Sequence, residues 1–185
     1  MVEKIRDRTN IFAVAGISFL HYKQRDLREV ADFLEAGLVK GLKMYPGYEP
    51  FYPHDGRCKV IYDLAREFDV PVIALTATAT LRVMEEVATT LAVDTPGMKI
   101  VICHIGNPWI RDCMEVVYKN EHVYADISGL TLGDFSDRFE KYMLDQVREL
   151  ITYAGEPKYL LYGTDWPIAT MKSYRKFVKT LDISD

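Results

Sequence analysis

The chain has 185 residues, of which 49% are hydrophobic and 27% are charged, and its formal net charge is −4 at pH 7. This length can form one well-packed core and is short for two domains, so we expect a single domain over residues 1–185. The acidic balance excludes the strongly basic surface typical of nucleic-acid binding. No apolar run approaches eighteen residues, and residues 1–10 lack a signal-peptide pattern, so we expect neither a membrane span nor secretion.

The three cysteines, Cys58, Cys103 and Cys113, are odd in number and have no CxxC spacing. That pattern is typical of reduced thiols in a cytoplasmic protein. The cytoplasm is therefore the expected location.

Apolar runs alternate with amphipathic helical patterns along the chain. The predicted strands cover residues 11–19, 41–45, 71–75, 99–104, 122–127 and 159–162. The predicted helices cover residues 24–36, a segment after Asp55, the segment 84–91, the segment from Asn107 to about 120, residues 137–154, and a last segment around 174–181. This alternation predicts an α/β domain with a parallel sheet.

Three local signals help to set the helix ends. Gly37 follows the first helix and is a candidate for its C-terminal cap. Asn107 is a good N-cap and Pro108 suits the first helical position of the segment that follows the fourth strand. The apolar positions of that helix, Ile110, Cys113, Met114 and Val117, lie on one face.

Alternating strands and helices fit either an open doubly wound sheet or a (β/α) barrel. Polar residues at or near the strand ends favour the barrel, because a barrel brings such residues together whereas an open sheet spreads them along an edge. These residues are Lys43, His104, Asp126 and Asp165.

His104 and Asp165 each follow an apolar strand, and strand alternation predicts that Ile102 and His104 lie on one face. An imidazole and a carboxylate at neighbouring strand ends can share a divalent metal, or the carboxylate can act as a base toward a metal-bound water. The alternative is structural: Asp165 caps the next turn, and a backbone carbonyl satisfies His104.

Three segments resemble the amidohydrolase-related metal-dependent hydrolases, which have a TIM-barrel fold. They are GLKMYPGY at residues 41–48 with PFYP at 50–53, VICHIGNPW at 101–109, and VYADISG at 123–129 with GTDWP at 163–167. The resemblance implies an eight-stranded barrel with its metal site at the C-terminal mouth. It also implies hydrolysis of an amide, ester or related bond, or decarboxylation of an aromatic acid.

The same resemblance implies roles for individual residues. His104 matches the sixth-strand histidine and is a predicted metal ligand. Asp165 matches the eighth-strand aspartate, which binds metal or activates water. Lys43 falls on the fourth strand, where some members carry a bridging lysine. The implied cofactor is a divalent metal ion, and zinc is the first candidate.

The departures from the family pattern are specific. Counting back from Asp165, the six strands match the third to eighth strands, so we expect an incomplete, N-terminally truncated barrel of about six βα units. The family's first strand carries a His-x-His pair, which this sequence lacks, and Leu75 occupies the fifth-strand histidine position. Two ligands remain, whereas a catalytic zinc normally takes three from the protein.

Several other residues have two interpretations. Asp126 either lines the mouth or caps a turn, and the aromatic loop around Tyr48 either forms a pocket wall or covers a helix. Trp166 and Lys43 are further candidates for the mouth. His21 and His54 either approach the site or lie on surface loops, and His122 lies at the opposite end of its strand.

Residues 71–83 also resemble the strand-and-helix segment that contains the TAT motif of RecQ-type DNA helicases. The P-loop that such helicases need is absent from this sequence. We interpret the segment as a local likeness.

The sequence therefore predicts a metal-dependent hydrolase acting on a small molecule, or an impaired fragment of one. The alternative is a non-catalytic truncated barrel that completes its fold by self-association or with a partner chain, because six strands leave two unpaired edges. A homo-oligomer is among the expected states.

Overall fold

The computed structural model describes residues 2–74 and 97–183. Six strands and five α-helices alternate over these residues. The strands are β1 (Ala13–Gly16), β2 (Val39–Met44), β3 (Val72–Ala74), β4 (Ile100–Ile102), β5 (Val123–Asp126) and β6 (Leu160–Leu161). The helices are α1 (Gln24–Glu35), α2 (Lys59–Glu67), α3 (Ile110–Lys119), α4 (Asp137–Ala154) and α5 (Met171–Thr180). The helix predicted at 84–91 lies outside the described residues.

Two compact units make up the chain, Met1–Val101 and Ile102–Asp185. In the first unit the strand order is β1-β2-β3-β4, and β2 runs parallel to both β1 and β3. Its core consists of apolar side chains from the strands and from α2, including Leu42, Met44, Ile61, Ala65 and Val72.

In the second unit β5 and β6 are neighbours and run parallel. Helix α3 packs against α4. The side chains buried in this unit include Ile102, Met114, Val117, Met143, Val147, Leu150, Tyr174 and Phe177. The α/β class is therefore confirmed, while the single domain over 1–185 stays a prediction.

Helix ends follow local signals that the sequence reveals. Helix α4 has the predicted limits and ends before Gly155, whose φ of 83° is left-handed. Helix α1 ends one residue before the predicted limit. Beyond it, Gly37 donates its N–H to the Leu34 carbonyl and Leu38 donates to Phe33, which is the Schellman arrangement.

The apolar run at residues 11–19, which predicts one long strand and is typical of a buried one, differs from the structure in two respects. Strand β1 has four residues, and Phe12 and Val14 are 55% and 46% exposed. The physical reason is position, because β1 stands first in the strand order and among the described residues only β2 pairs with it.

The prediction that Asn107 and Pro108 begin the third described helix is also wrong. Helix α3 begins at Ile110, with Trp109 as its N-cap residue. Asn107 instead ends the preceding 3₁₀ turn, donating its backbone N–H to the His104 carbonyl. The predicted apolar face is confirmed, since Ile110, Cys113, Met114 and Val117 are all buried.

None of the helices that the structure describes combines the length and the apolar character needed to cross a lipid bilayer. Cys58, Cys103 and Cys113 are buried and form no disulfide.

Gly37 provides a test of the α1 cap. It has a φ of +69°, and a Cβ there would meet only the flexible end of Lys40, at 3.4 Å. Gly56 in the same unit has no left-handed φ and open space around its Cβ position. We expect Gly37→Ala to lower the free energy of unfolding by about 1 kcal/mol, because alanine is strained at a positive φ.

Gly56→Ala is the matched control, and we expect it to leave stability unchanged or slightly raised. Chemical denaturation of both variants measures the difference. Equal stability of the two would contradict the assigned cap.

Candidate functional site

His104 lies in a tight turn immediately after β4. The strand ends at Ile102, and the 3₁₀ turn Cys103–Gly106 follows it. His104 has φ 60° and ψ 30°, and the buried Ile105 has φ 47°, so both adopt the left-handed conformation that non-glycine residues rarely adopt. The prediction that strand alternation sets the direction of His104 is therefore wrong, because the strand stops two residues earlier.

Asp126, the last residue of β5, holds this turn. Its Oδ1 accepts the backbone N–H of His104 at 3.1 Å. The same oxygen accepts the backbone N–H of Ser128 at 2.9 Å and the Ser128 hydroxyl at 2.5 Å. These hydrogen bonds fit the interpretation in which the Asp126 carboxylate caps a turn.

Ser128 connects Asp126 to the His104 ring. The Nδ1 of His104 lies 2.8 Å from the Ser128 carbonyl oxygen and 3.0 Å from the Ser128 Oγ. Nδ1 is 3.8 Å from Asp126 Oδ1. The contacts of Nδ1 thus match the structural alternative, in which the histidine forms a hydrogen bond with a backbone carbonyl.

Gly129 shows that His104 and Asp165 converge. A Cβ built on Gly129 would lie 2.5 Å from His104 Nδ1 and 3.1 Å from Asp165 Oδ2. Those two atoms are therefore no further apart than the sum of these distances. The Gly129 φ of +61° also favours glycine. A residue without a side chain is needed for the imidazole and the carboxylate to meet here.

Asp165 sits in a turn after β6 and has a left-handed φ of 58°. The Ile168 N–H donates to the Asp165 carbonyl at 2.9 Å, which closes the turn. Trp166 and Ile168 follow Asp165 in sequence and are 66% and 53% exposed. The predicted mouth residue Trp166 thus lies in the turn that carries Asp165, with an apolar surface open to solvent.

The loop after β5 is tied to the loop after β6. The Gly133 N–H donates to the Ile168 carbonyl at 2.9 Å, and the Thr170 N–H donates to the Gly133 carbonyl at 3.1 Å. The buried Tyr174 accepts the Leu130 N–H at 2.5 Å. These bonds fix the two loops that carry the Gly129 and Asp165 ends of the site.

Burial raises the pKa of Tyr174 to about 12, and the charges of Asp126 and Asp165 act in the same direction. Its phenol is therefore neutral at physiological pH. Burial also raises the pKa of the Cys113 thiol. Neither group is a source of negative charge for the site.

Lys43 and Tyr48 belong to the first unit. The Lys43 Nζ lies 5.7 Å from the centre of the Tyr45 ring, and Tyr48 is 82% exposed. Phe51, from the same aromatic loop as Tyr48, is buried against Phe19 with ring centres 4.5 Å apart. Lys43 and Tyr48 stay predictions as mouth residues.

The other histidines have separate surroundings. His21 lines a cleft of about 220 Å³ at the end of β1, together with Ser18 and Tyr22. His54 stacks on Tyr52 in the aromatic loop, with ring centres 5.6 Å apart. His122 directly precedes β5, at the end opposite Asp126.

The resemblance implies a divalent metal, and the donor set tests that implication. His104 and Asp165 are suitable donors, but no group of three or more His, Cys, Asp or Glu side chains that could hold a metal occurs in residues 2–74 and 97–183. Two donors are fewer than the three that a catalytic zinc takes from its protein. The described residues therefore do not fit a complete metal site. Leu75, at the fifth-strand ligand position, lies outside them.

Sequence reasoning did not single out Ser128 and Gly129. Their roles depend on a carbonyl contact and a close approach of the ring to the backbone, which no periodicity reveals. The available signal was the Ser-Gly pair directly after the apolar strand that ends at Asp126, since glycine is typical of places where another group approaches the backbone closely.

Comparison with solved structures identifies the fold. An uncharacterized TIM-barrel protein from Bordetella bronchiseptica is 19% identical, with a TM-score of 0.73 over 99% of this chain and 64% of its own. A probable 2-pyrone-4,6-dicarboxylic acid hydrolase from Acinetobacter baumannii, with citric acid bound, is 12% identical, with a TM-score of 0.71 over 100% and 71%.

A third similar structure is a 5-carboxyvanillate decarboxylase from Novosphingobium aromaticivorans in complex with manganese and 4-hydroxy-3-methoxy-5-nitrobenzoic acid. It is 13% identical, with a TM-score of 0.64 over 99% of this chain and 62% of its own. The incomplete (β/α) barrel fold is therefore confirmed. This chain spans about two thirds of the length of these structures.

The comparison with curated proteins finds no match. Nothing in these comparisons supports the helicase-like resemblance of residues 71–83, most of which lie outside the described residues. The family model for amidohydrolases, in contrast, matches residues 1–185. The chain belongs to the amidohydrolase family.

Proposed function

We propose that this chain is a hydrolase of the amidohydrolase type, or a decarboxylase relative, whose chemistry is carried by His104 and Asp165. The observation that carries the proposal is their convergence over Gly129. His104 Nδ1 and Asp165 Oδ2 lie 2.5 and 3.1 Å from the position that a Cβ of residue 129 would occupy. Family membership supports the reaction class. The similar structures named above include one hydrolase and one decarboxylase.

In the proposed hydrolysis, Asp165 acts as the general base. Its carboxylate accepts a proton from a water molecule as the water oxygen forms a bond to the substrate carbonyl carbon. The protonated Asp165 then returns that proton to the leaving group when the scissile bond breaks. His104 accepts a hydrogen bond from the same water through Nε2 and so orients it.

The family implies a divalent metal, and zinc is the ion that we propose from the sequence. A histidine nitrogen and a carboxylate oxygen are donor types that zinc takes. Because the described residues bring only two such donors together, no step of the proposed reaction is routed through a metal ion.

The substrate is proposed to be a small molecule with an apolar part. Trp166 and Ile168, which follow Asp165 in sequence, expose apolar side chains. An apolar wall beside a few polar groups is typical of small-molecule sites.

The three buried free cysteines support a cytoplasmic location.

A second candidate function is a non-catalytic barrel that completes its fold with a second copy or with a partner chain. The observation that favours it is the position of β1, with which only β2 pairs among the described residues. In and just before β1, Ile11, Phe12 and Val14 are 47%, 55% and 46% exposed. Unpaired edges of this kind pair readily with other chains.

The activity test uses the purified chain with a panel of amide and ester substrates, without metal and with added zinc or manganese. We expect hydrolysis of at least one substrate, and a loss of roughly 10²- to 10⁴-fold in His104→Ala and Asp165→Asn, because each removes a group that handles or orients the reacting water. His122→Ala is the control, since His122 lies at the opposite end of β5.

Bound metal is measured on the same samples. A metal-free protein without activity on any panel member would contradict the enzyme proposal. Full activity in His104→Ala would contradict the role of this residue.

The convergence itself is tested by alanine at two glycines. Gly129 and Gly155 have φ of +61° and +83°, so both substitutions strain the backbone, but only a Gly129 side chain would collide with His104 and Asp165. We expect Gly129→Ala to lower kcat/KM by roughly 10²-fold through misplacement of the pair. Gly155→Ala, at the C-terminal cap of α4, is the control and should retain activity within a few-fold.

Equal effects of the two substitutions would mean that backbone strain alone explains the loss, which contradicts the proposed arrangement. Circular dichroism of both variants checks that they fold alike.

The partner proposal is tested by size-exclusion chromatography with light scattering. If a second copy covers the β1 edge, the mass is that of a dimer or larger, and replacing the exposed Phe12 and Val14 by lysine shifts it to the monomer. The control is lysine at Leu132, an exposed apolar residue of the second unit. A monomer across the concentration range would contradict self-association.

A further inference from the structure

Asp126, Ser128 and His104 form a closed hydrogen-bond network next to the proposed reacting atoms. The Asp126 Oδ1 accepts the Ser128 hydroxyl at 2.5 Å, and the Ser128 Oγ lies 3.0 Å from His104 Nδ1. His104 and Asp126 expose only 19% and 14% of their side chains. Water therefore has little access with which to replace these contacts.

The positions of the protons follow from the donor and acceptor types. The Ser128 hydroxyl has one hydrogen, and the carboxylate of Asp126 can only accept, so that hydrogen points to Asp126. The Ser128 Oγ is then an acceptor toward His104. The Ser128 carbonyl, 2.8 Å from Nδ1, can only accept as well. Both contacts require a hydrogen on Nδ1.

We propose that Ser128, with its hydroxyl oriented by Asp126, is a positioning residue that keeps the neutral His104 in the tautomer with a proton on Nδ1 and a lone pair on Nε2. Without Asp126, the Ser128 hydroxyl is free to donate to Nδ1, which would move the ring proton to Nε2. The hydrogen bond of one ring nitrogen determines the role of the other.

This inference rests on the proposed function, because it makes Nε2 the atom that accepts a hydrogen bond from the reacting water. Gly163 supports the arrangement from the other side. A Cβ on Gly163 would lie 2.9 Å from the Ser128 Cβ, so the chain after β6 packs directly against the serine and limits its movement.

The test is ¹⁵N NMR of the histidine ring nitrogens in the full chain at alkaline pH. The His104 signals are assigned by their loss in His104→Gln. We expect wild-type protein to show a protonated Nδ1 and an unprotonated Nε2, with widely separated shifts. In Ser128→Ala the two shifts should move toward each other as the second tautomer becomes populated.

Asp126→Asn is the second variant. Its amide oxygen can still accept the backbone N–H groups, but the serine hydroxyl loses its charged acceptor, so the same movement of the shifts is expected. Ser136→Ala is the matched control, because Ser136 is an exposed serine of the same unit without a side-chain capping bond. Its spectrum should equal that of the wild type.

A protonated Nε2 in the wild type would overturn the inference. So would wild-type shifts in a folded Ser128→Ala or Asp126→Asn variant, since the carbonyl contact alone would then fix the tautomer. These spectra need no substrate. Wild-type shifts in the two variants would leave the hydrolysis proposal unchanged. A protonated Nε2 in the wild type would also remove the acceptor role proposed for His104, but not the base role of Asp165. Absence of hydrolysis leaves the tautomer result valid.

Discussion

The carboxylate of Asp126 is the interaction on which the rest of the candidate site depends. One oxygen accepts three hydrogen bonds, from the His104 backbone, the Ser128 backbone and the Ser128 hydroxyl. Hydrogen bonds to a charged acceptor are roughly twice as strong as those between neutral groups. Through them, the end of β5 fixes the turn after β4, and through Ser128 it fixes the orientation of the imidazole.

That anchoring matters because the site is built on unfavourable backbone conformations. His104, Ile105 and Asp165 have φ of 60°, 47° and 58°. Each residue in this conformation lowers the stability of the fold by on the order of 1–3 kcal/mol. Such a conformation persists only where several surrounding contacts hold it in place. Here the Asp126 carboxylate and the bond from Ile168 to the Asp165 carbonyl supply those contacts. Two of these three residues, His104 and Asp165, are those to which the proposal assigns the chemistry.

Periodicity and glycine position predicted the apolar face of α3 and the C-terminal ends of α1 and α4 well, because apolar faces and left-handed caps are local properties. The limits of α4 and the cap at Gly37 illustrate this. Polar residues at strand ends also predicted that His104 and Asp165 belong to one site. The route was different from the prediction, since a left-handed turn, not strand alternation, directs His104. Ser128 stayed hidden because its role is a contact between residues distant in sequence.

A crystal structure of the chain tests the central claim, the convergence of His104 and Asp165 over Gly129, most directly. We expect the His104 ring to lie against Gly129, with Nδ1 about 2.8 Å from the Ser128 carbonyl oxygen. We expect the Asp165 carboxylate to lie against Gly129 as well. An imidazole turned away from Gly129, or an Asp165 carboxylate directed away from the ring, would contradict it.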